Sequence, residues 1–85
     1  MQLDNRIAEL IAVGSSVTAN CQPCLQYHVG KALESGASDR EIAQAIEIAK
    51  MVRKGAAGKM DTFASTMSKP VPADAVASGE GCGCR

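Results

Sequence analysis

Residues 36–54, GASDREIAQAIEIAKMVRK, carry the pattern that decides the fold of this chain. Ser38 is followed three residues later by Glu41, which is the capping box that begins many α-helices. Apolar residues then recur at helical spacing, at Ile42, Ala45, Ile46, Ala49 and Val52. The stretch therefore predicts a helix that begins at Ser38.

The glycines on either side of this stretch are expected to end helices. Gly36 is a typical left-handed stop for the helix before it, and Gly55 is expected to end the helix that begins at Ser38. On that interpretation the last turn holds three basic side chains that face the negative end of the helix dipole, those of Lys50, Arg53 and Lys54.

The rest of the chain predicts three more helices and no strand. The first covers about residues 3–19 and has an apolar stripe at helical spacing, formed by Leu3, Ile7, Leu10, Ile11, Gly14 and Val17. The second begins near Gln22, where Pro23 suits the first turn because its missing N–H has no partner there. The fourth covers about residues 56–67 and is expected to bury Met60, Phe63, Ala64 and Met67. The fold class predicted is all-α, a small helical bundle.

Residues 68–85 differ in composition from the predicted bundle. They contain two prolines, three glycines and two cysteines, Cys82 and Cys84, with no periodic apolar face. Such a composition is typical of a flexible tail. We therefore expect one helical domain over residues 1–67 and a tail over residues 68–85.

Length and charge limit the function classes. The 85 residues allow one domain, and nine acidic side chains balance nine basic ones, so nothing in the charge favours a nucleic-acid partner or an anionic membrane. The apolar stretches are too short to cross a bilayer, and charges near the N-terminus interrupt any signal sequence. We therefore expect a cytoplasmic protein. Because only two residues are aromatic, its core is small and a homo-oligomer is expected.

The clearest candidate site is a CxxC pair, Cys21 and Cys24, at the expected start of the second helix. A helix N-terminus stabilises the thiolate, which is the nucleophilic form of cysteine. His28 follows Cys24 by one helical turn, so its imidazole can accept the Cys24 proton. We therefore assign Cys24 as the attacking thiol and Cys21 as the resolving thiol.

Glu9 is a further candidate because it is the last charged residue before an uncharged stretch that extends from Leu10 to Gly30. Its helical neighbours Ala12, Val13 and Ser16 are small. A carboxylate on such a surface is partly buried and suited to proton transfer. The alternative for Glu9 is a solvated helix charge.

A zinc site is the alternative interpretation of the cysteines. Cys21, Cys24 and His28, together with either Cys82 or Cys84, would make a Cys₃His ligand set. CxxC pairs occur in redox sites and in zinc sites alike. The residue types alone leave both interpretations open.

Glu9, the Cys21-x-x-Cys24-x-x-x-His28 spacing and the capping box at Ser38 together resemble the AhpD-like alkylhydroperoxidases of the carboxymuconolactone decarboxylase family. The resemblance covers about residues 3–66. It implies a helical bundle that assembles into trimers or hexamers, and a catalytic site without a cofactor. It also implies that Cys24 attacks a hydroperoxide, that Cys21 resolves to a disulfide, and that Glu9 and His28 form a proton relay.

The resemblance also implies the partners of the reaction. The substrate is a hydroperoxide or a disulfide, and a dithiol reductant restores the thiols. The decarboxylase branch of the family does not use a CxxC pair, so the resemblance favours peroxidase or disulfide chemistry over lactone decarboxylation.

Overall fold

Three helices account for most of residues 2–67, which are the part of the chain that the computed structural model describes. They are α1 (Asn5–Thr18), α2 (Gln22–Glu34) and α3 (Asp39–Met67). Within these residues there is no strand, and no helix is long and apolar enough to cross a bilayer. The prediction of an all-α fold is confirmed. The predicted tail, with Cys82 and Cys84, lies outside the described residues.

The predicted start of α3 is confirmed by reciprocal hydrogen bonds. The Glu41 amide donates to Ser38 Oγ, and the Ser38 amide donates to Glu41 Oε1, both at 3.0 Å. The bond from the Ser38 amide lowers the pKa of Glu41, and the nearby Arg6 guanidinium lowers it further. Gly36 adopts a φ of 95°, so it ends α2 in the left-handed conformation that the sequence predicted.

The prediction that Gly55 ends a helix is wrong. The third and fourth predicted helices are one helix of 29 residues that passes through Gly55 and Gly58 without interruption. Glycine lowers helix stability by about 1 kcal/mol but does not block helical geometry. The following residues, AAGKM, include good helix formers and no proline, so the helical hydrogen bonds continue.

α1 is the central helix, because it packs against both α2 and α3, whereas α2 and α3 have little contact. Arg6 near the start of α1 pairs with Glu41 near the start of α3, and Arg53 further along α3 donates to Val17 near the end of α1. These two helices therefore run in the same direction. α2 returns along α1 in the opposite direction. The core between the helices is small, and its buried apolar side chains are those of Val13, Val17, Ala32, Ala37, Ile42 and Ala49.

The C-terminal half of α3 extends beyond the other two helices. Every residue from 54 to 67 is exposed, and at 1.5 Å per residue this segment is about 21 Å long. The predicted burial of Met60, Phe63, Ala64 and Met67 is therefore wrong within the single chain, because α1 and α2 end before they reach these side chains. We call residues 54–67 the α3 extension.

An open apolar groove of about 610 Å³ lies between α1 and α3. Its lining includes three side chains that the sequence placed on apolar stripes, those of Ile7, Ile11 and Val52. All three are exposed. The predicted stripes therefore exist, but the described chain covers only part of them.

Candidate redox site

The turn between α1 and α2 sets the position of the first cysteine. Asn20 has a φ of 58°, in the left-handed region. Around it, the Cys21 amide donates to Ser16 O at 2.9 Å and the Asn20 amide donates to Val17 O at 3.0 Å. These two bonds form a Schellman motif, a common way to end a helix. The end of α1 therefore fixes the backbone of Cys21.

Cys21 is also the N-cap residue of α2. Its Sγ accepts a hydrogen bond from the Cys24 amide at 3.3 Å, and Pro23 lies in the first turn, as the sequence predicted. Cys21 and Cys24 are joined by a disulfide, with their Cα atoms 5.3 Å apart. Cys21 is half-buried, whereas Cys24 is exposed. The structure thus describes the oxidised form of the pair.

Glu9 and His28 meet across the interface between α1 and α2. Glu9 Oε1 lies 2.7 Å from His28 Nδ1, and the side chains are 25% and 31% exposed. Because a carboxylate only accepts hydrogen bonds, Nδ1 carries the proton and Nε2 of a neutral imidazole is left as the proton acceptor. The pair is therefore arranged so that His28 can take up a proton at Nε2.

Tyr27 is a neighbour of this pair that no sequence motif indicates. Its ring meets the His28 ring edge-on, with the centroids 5.0 Å apart, and Lys31 Nζ lies 5.7 Å from the centre of the tyrosine ring. Tyr27 remains exposed. The only sequence signal for this contact is its place next to His28.

Arg53 is a second residue whose position the sequence did not predict. Its Nη1 donates to Val17 O and to Asn20 Oδ1, both at 2.8 Å. Its predicted place in the last turn of a helix is wrong, because α3 continues for 14 more residues, to Met67. Arg53 also lines a cavity of about 220 Å³ that includes Cys21. No local motif signals this contact, since it joins residues more than 30 positions apart.

The zinc interpretation gains no support from residues 2–67. Within that range no three His, Cys, Asp or Glu side chains are grouped so that they could hold a metal ion. Cys21 and Cys24 are bonded to each other, and His28 contacts Glu9. The tail cysteines that would complete the set, Cys82 and Cys84, lie outside the described residues.

Comparison with known proteins places the chain in a family. The family model described as carboxymuconolactone decarboxylase family matches residues 2–63. "Uncharacterized protein 4 in cox locus" of Paracoccus denitrificans is 40% identical over 55 residues, which are 65% of this chain and 50% of that protein. The chain thus spans about half the length of this relative. No solved structure matches it. Because the family match covers most of the chain and includes Glu9, both site cysteines and His28, this chain belongs to the carboxymuconolactone decarboxylase family.

Proposed function

We propose that this protein is a thiol-dependent peroxidase or disulfide oxidoreductase. The observation that supports the proposal is the hydrogen-bonded Glu9–His28 pair. Its histidine lies one helical turn after Cys24, which forms the CxxC disulfide with Cys21 at the start of α2. A disulfide between helix-start cysteines is typical of a redox pair. A carboxylate–imidazole pair supplies the base that a thiol nucleophile needs.

The proposed reaction has three steps that balance. The Cys24 thiolate attacks one oxygen of a hydroperoxide, the O–O bond breaks, and an alcohol leaves after taking up a proton, while Cys24 becomes a sulfenic acid. The Cys21 thiol then forms an S–S bond to Cys24 and water leaves. A dithiol reductant finally returns two electrons and two protons and is itself oxidised to a disulfide. No step needs a cofactor.

His28 and Glu9 act in the first step of this proposal. His28 Nε2 takes the proton from Cys24, and the Glu9 carboxylate stabilises the imidazolium that forms. Glu9 on α1 also fixes the orientation of the imidazole on α2. This role is supported by the 2.7 Å contact and by the partial burial of both side chains.

The exposed position of Cys24 supports its assignment as the attacking thiol. A hydroperoxide can reach an exposed sulfur from solvent, whereas Cys21 is half-buried and faces the end of α1. Both assignments also agree with the family resemblance.

The test is reduction of cumene hydroperoxide by the full chain with dithiothreitol as reductant. We expect Cys24→Ser to lose turnover. Cys21→Ser, treated with the hydroperoxide in the absence of dithiothreitol, should react once and stop at the sulfenic acid. The matched control replaces Cys82 and Cys84 with serine and should keep turnover. Full peroxide reduction by Cys24→Ser would refute the proposal.

A second assay separates peroxidase from disulfide chemistry. Turnover on the hydroperoxide is compared with turnover on a small disulfide such as oxidised glutathione, with the same enzyme and the same reductant. A much higher rate on the disulfide would assign the protein as a disulfide oxidoreductase. Dithiol reductants are characteristic of the cytoplasm, which is where we propose that the protein acts.

We also propose that the protein is a homo-oligomer, a trimer or a hexamer. The support is the amount of apolar surface that one chain leaves uncovered: the groove between α1 and α3, and the line of Met60, Phe63 and Met67 along the α3 extension. A helical segment of this length with no partner is only marginally stable in water. A second copy of the chain supplies apolar surface that covers the groove and the α3 extension.

Light scattering coupled to gel filtration tests the oligomer. Phe63 is 60% exposed, so Phe63→Glu should leave the single-chain fold intact and dissociate the oligomer. Ser65→Glu adds the same charge on the opposite side of α3 and should leave the mass unchanged. A monomeric mass for the unaltered protein at micromolar concentration would contradict the proposal.

A further inference from the structure

The contact between α3 and the turn before Cys21 has a consequence for the redox pair. Arg53 is the α3 residue that makes it, with two 2.8 Å hydrogen bonds from Nη1 to the end of α1 and to the Asn20 side chain. Arg53 is half-buried, and a charged donor forms stronger hydrogen bonds than a neutral one. Arg53 therefore stabilises the turn in addition to the turn's own backbone hydrogen bonds.

Asn20 is the residue in this turn that needs such support. Its φ of 58° is the only left-handed conformation at a non-glycine residue within residues 2–67. A residue with a Cβ loses stability there, and asparagine is tolerated mainly because its short side chain can form a local hydrogen bond. In this turn the Asn20 Oδ1 accepts its bond from Arg53. Loss of that bond removes a constraint on the left-handed conformation.

The conformation of Asn20 determines where Cys21 lies. Cys21 is the next residue, and its amide closes the Schellman motif on Ser16 O only while Asn20 remains left-handed. The same geometry puts Cys21 at the N-cap of α2, with its Cα 5.3 Å from that of Cys24. That distance lies in the range that a disulfide requires.

We propose that Arg53 is a positioning residue for the redox pair: it holds Asn20 in the left-handed conformation and so keeps Cys21 facing Cys24 when both are reduced. The inference rests on the redox role of the two cysteines given under Proposed function. In the reduced chain no S–S bond holds the turn, so Arg53 preorganises it for disulfide closure. Without Arg53 the reduced turn relaxes, and closure must restore the left-handed residue.

The measurement is the thiol–disulfide equilibrium of the pair with dithiothreitol, read by alkylation and mass spectrometry in the full chain with Cys82 and Cys84 replaced by serine. In this exchange the protein disulfide takes two electrons and two protons from dithiothreitol, which closes to its cyclic disulfide. No hydroperoxide is present. The equilibrium constant for closing the Cys21–Cys24 disulfide therefore reports on the pair independently of peroxidase turnover.

Two substitutions of Asn20 form the matched comparison, with Arg53 unchanged. Both Asn20→Ala and Asn20→Gly remove the side-chain acceptor, but only glycine adopts the left-handed conformation without loss. We expect the closure constant to fall about fivefold in Asn20→Ala, because alanine keeps the unfavourable Cβ but loses the hydrogen bond that compensates for it. In Asn20→Gly it should stay within about twofold of the unaltered protein.

Substitution of Arg53 completes the test. We expect Arg53→Met to lower the closure constant about fivefold, and Asn20→Gly in the same chain to restore it. Circular dichroism of each reduced variant checks that the helices are retained. If Arg53→Met does not fold, the comparison of Asn20→Ala with Asn20→Gly still tests the inference.

Three results would overturn the inference. Equal closure constants for Asn20→Ala and Asn20→Gly would show that the left-handed conformation is not limiting. Failure of Asn20→Gly to restore closure in the Arg53→Met chain would show that Arg53 acts by another route. If the unaltered protein formed no Cys21–Cys24 disulfide at all, the proposed function would be refuted together with this inference.

Discussion

Replacing Gly55 with alanine tests whether α3 continues past the point where the sequence pattern ends it. A Cβ added at Gly55 meets nothing within 4 Å, and the residue lies inside a continuous helix. The substitution therefore adds no clash and gains the difference in helix propensity between alanine and glycine. That difference is about 1 kcal/mol, which raises Tm by about 4–8 °C for a domain of this size.

Gly36→Ala is the matched control for this prediction, because it also has open space around the added Cβ. Its φ of 95° makes alanine unfavourable, so we expect a loss of about 1–2 kcal/mol. Thermal and urea unfolding followed by circular dichroism measure both changes, at one protein concentration because an oligomer makes Tm concentration-dependent. A loss of stability in Gly55→Ala would refute the reasoning, because it would mean that Gly55 is left-handed and ends the helix.

Two further predictions concern side-chain pairs. Glu9→Gln and His28→Gln should each slow oxidation of Cys24 by cumene hydroperoxide about 100-fold, and the double variant should lose little more, because the two groups act as one unit. Additive losses in stopped-flow measurements would contradict the relay. Glu41→Gln should lower the urea midpoint at pH 7, because the Ser38 amide and Arg6 hold the pKa of Glu41 below its ordinary value of 4.5, so the ionised form stabilises the fold above that pH. The contribution is lost as the pH falls through the lowered pKa of Glu41, so the difference between the two proteins should shrink as the pH falls below 4.5; a constant difference would show that charge is not the cause.

Local signals predicted the helix starts well, and the CxxC pair lies at the start of α2 as they predicted. The capping box of Ser38 and Glu41, the stop at Gly36 and the proline in the first turn of α2 depend on neighbours within a few positions. Such interactions are encoded by spacing alone. The class of fold followed from them, and the family match confirmed the resemblance on which the assignment of the site depends.

The features that the sequence did not predict depend on residues far apart in the chain. Whether Gly55 ends a helix depends on whether the residues after it are more stable inside or outside the helix. Glycine itself permits either conformation. The sequence pattern predicts Arg53 in the last turn of a helix, but α3 continues past it. The atoms that accept its hydrogen bonds belong to Val17 and Asn20, 36 and 33 positions away. Periodicity likewise identified the apolar side chain of Phe63 but could not show that the single chain leaves it exposed.

The central place of α1 has a consequence for the order in which this chain folds. The contacts between α1 and α2 are local in sequence, with only Ala19, Asn20 and Cys21 between the helices, whereas α3 contributes long-range contacts such as Arg6 with Glu41. Closing a short loop loses less chain entropy than closing a long one, and local contacts form faster. We therefore expect the α1–α2 hairpin to form first and α3 to dock onto it. On this route the CxxC pair and the Glu9–His28 contact assemble before the chain has completed its core, and the docking of α3 through Arg53 is the late event that makes the site rigid.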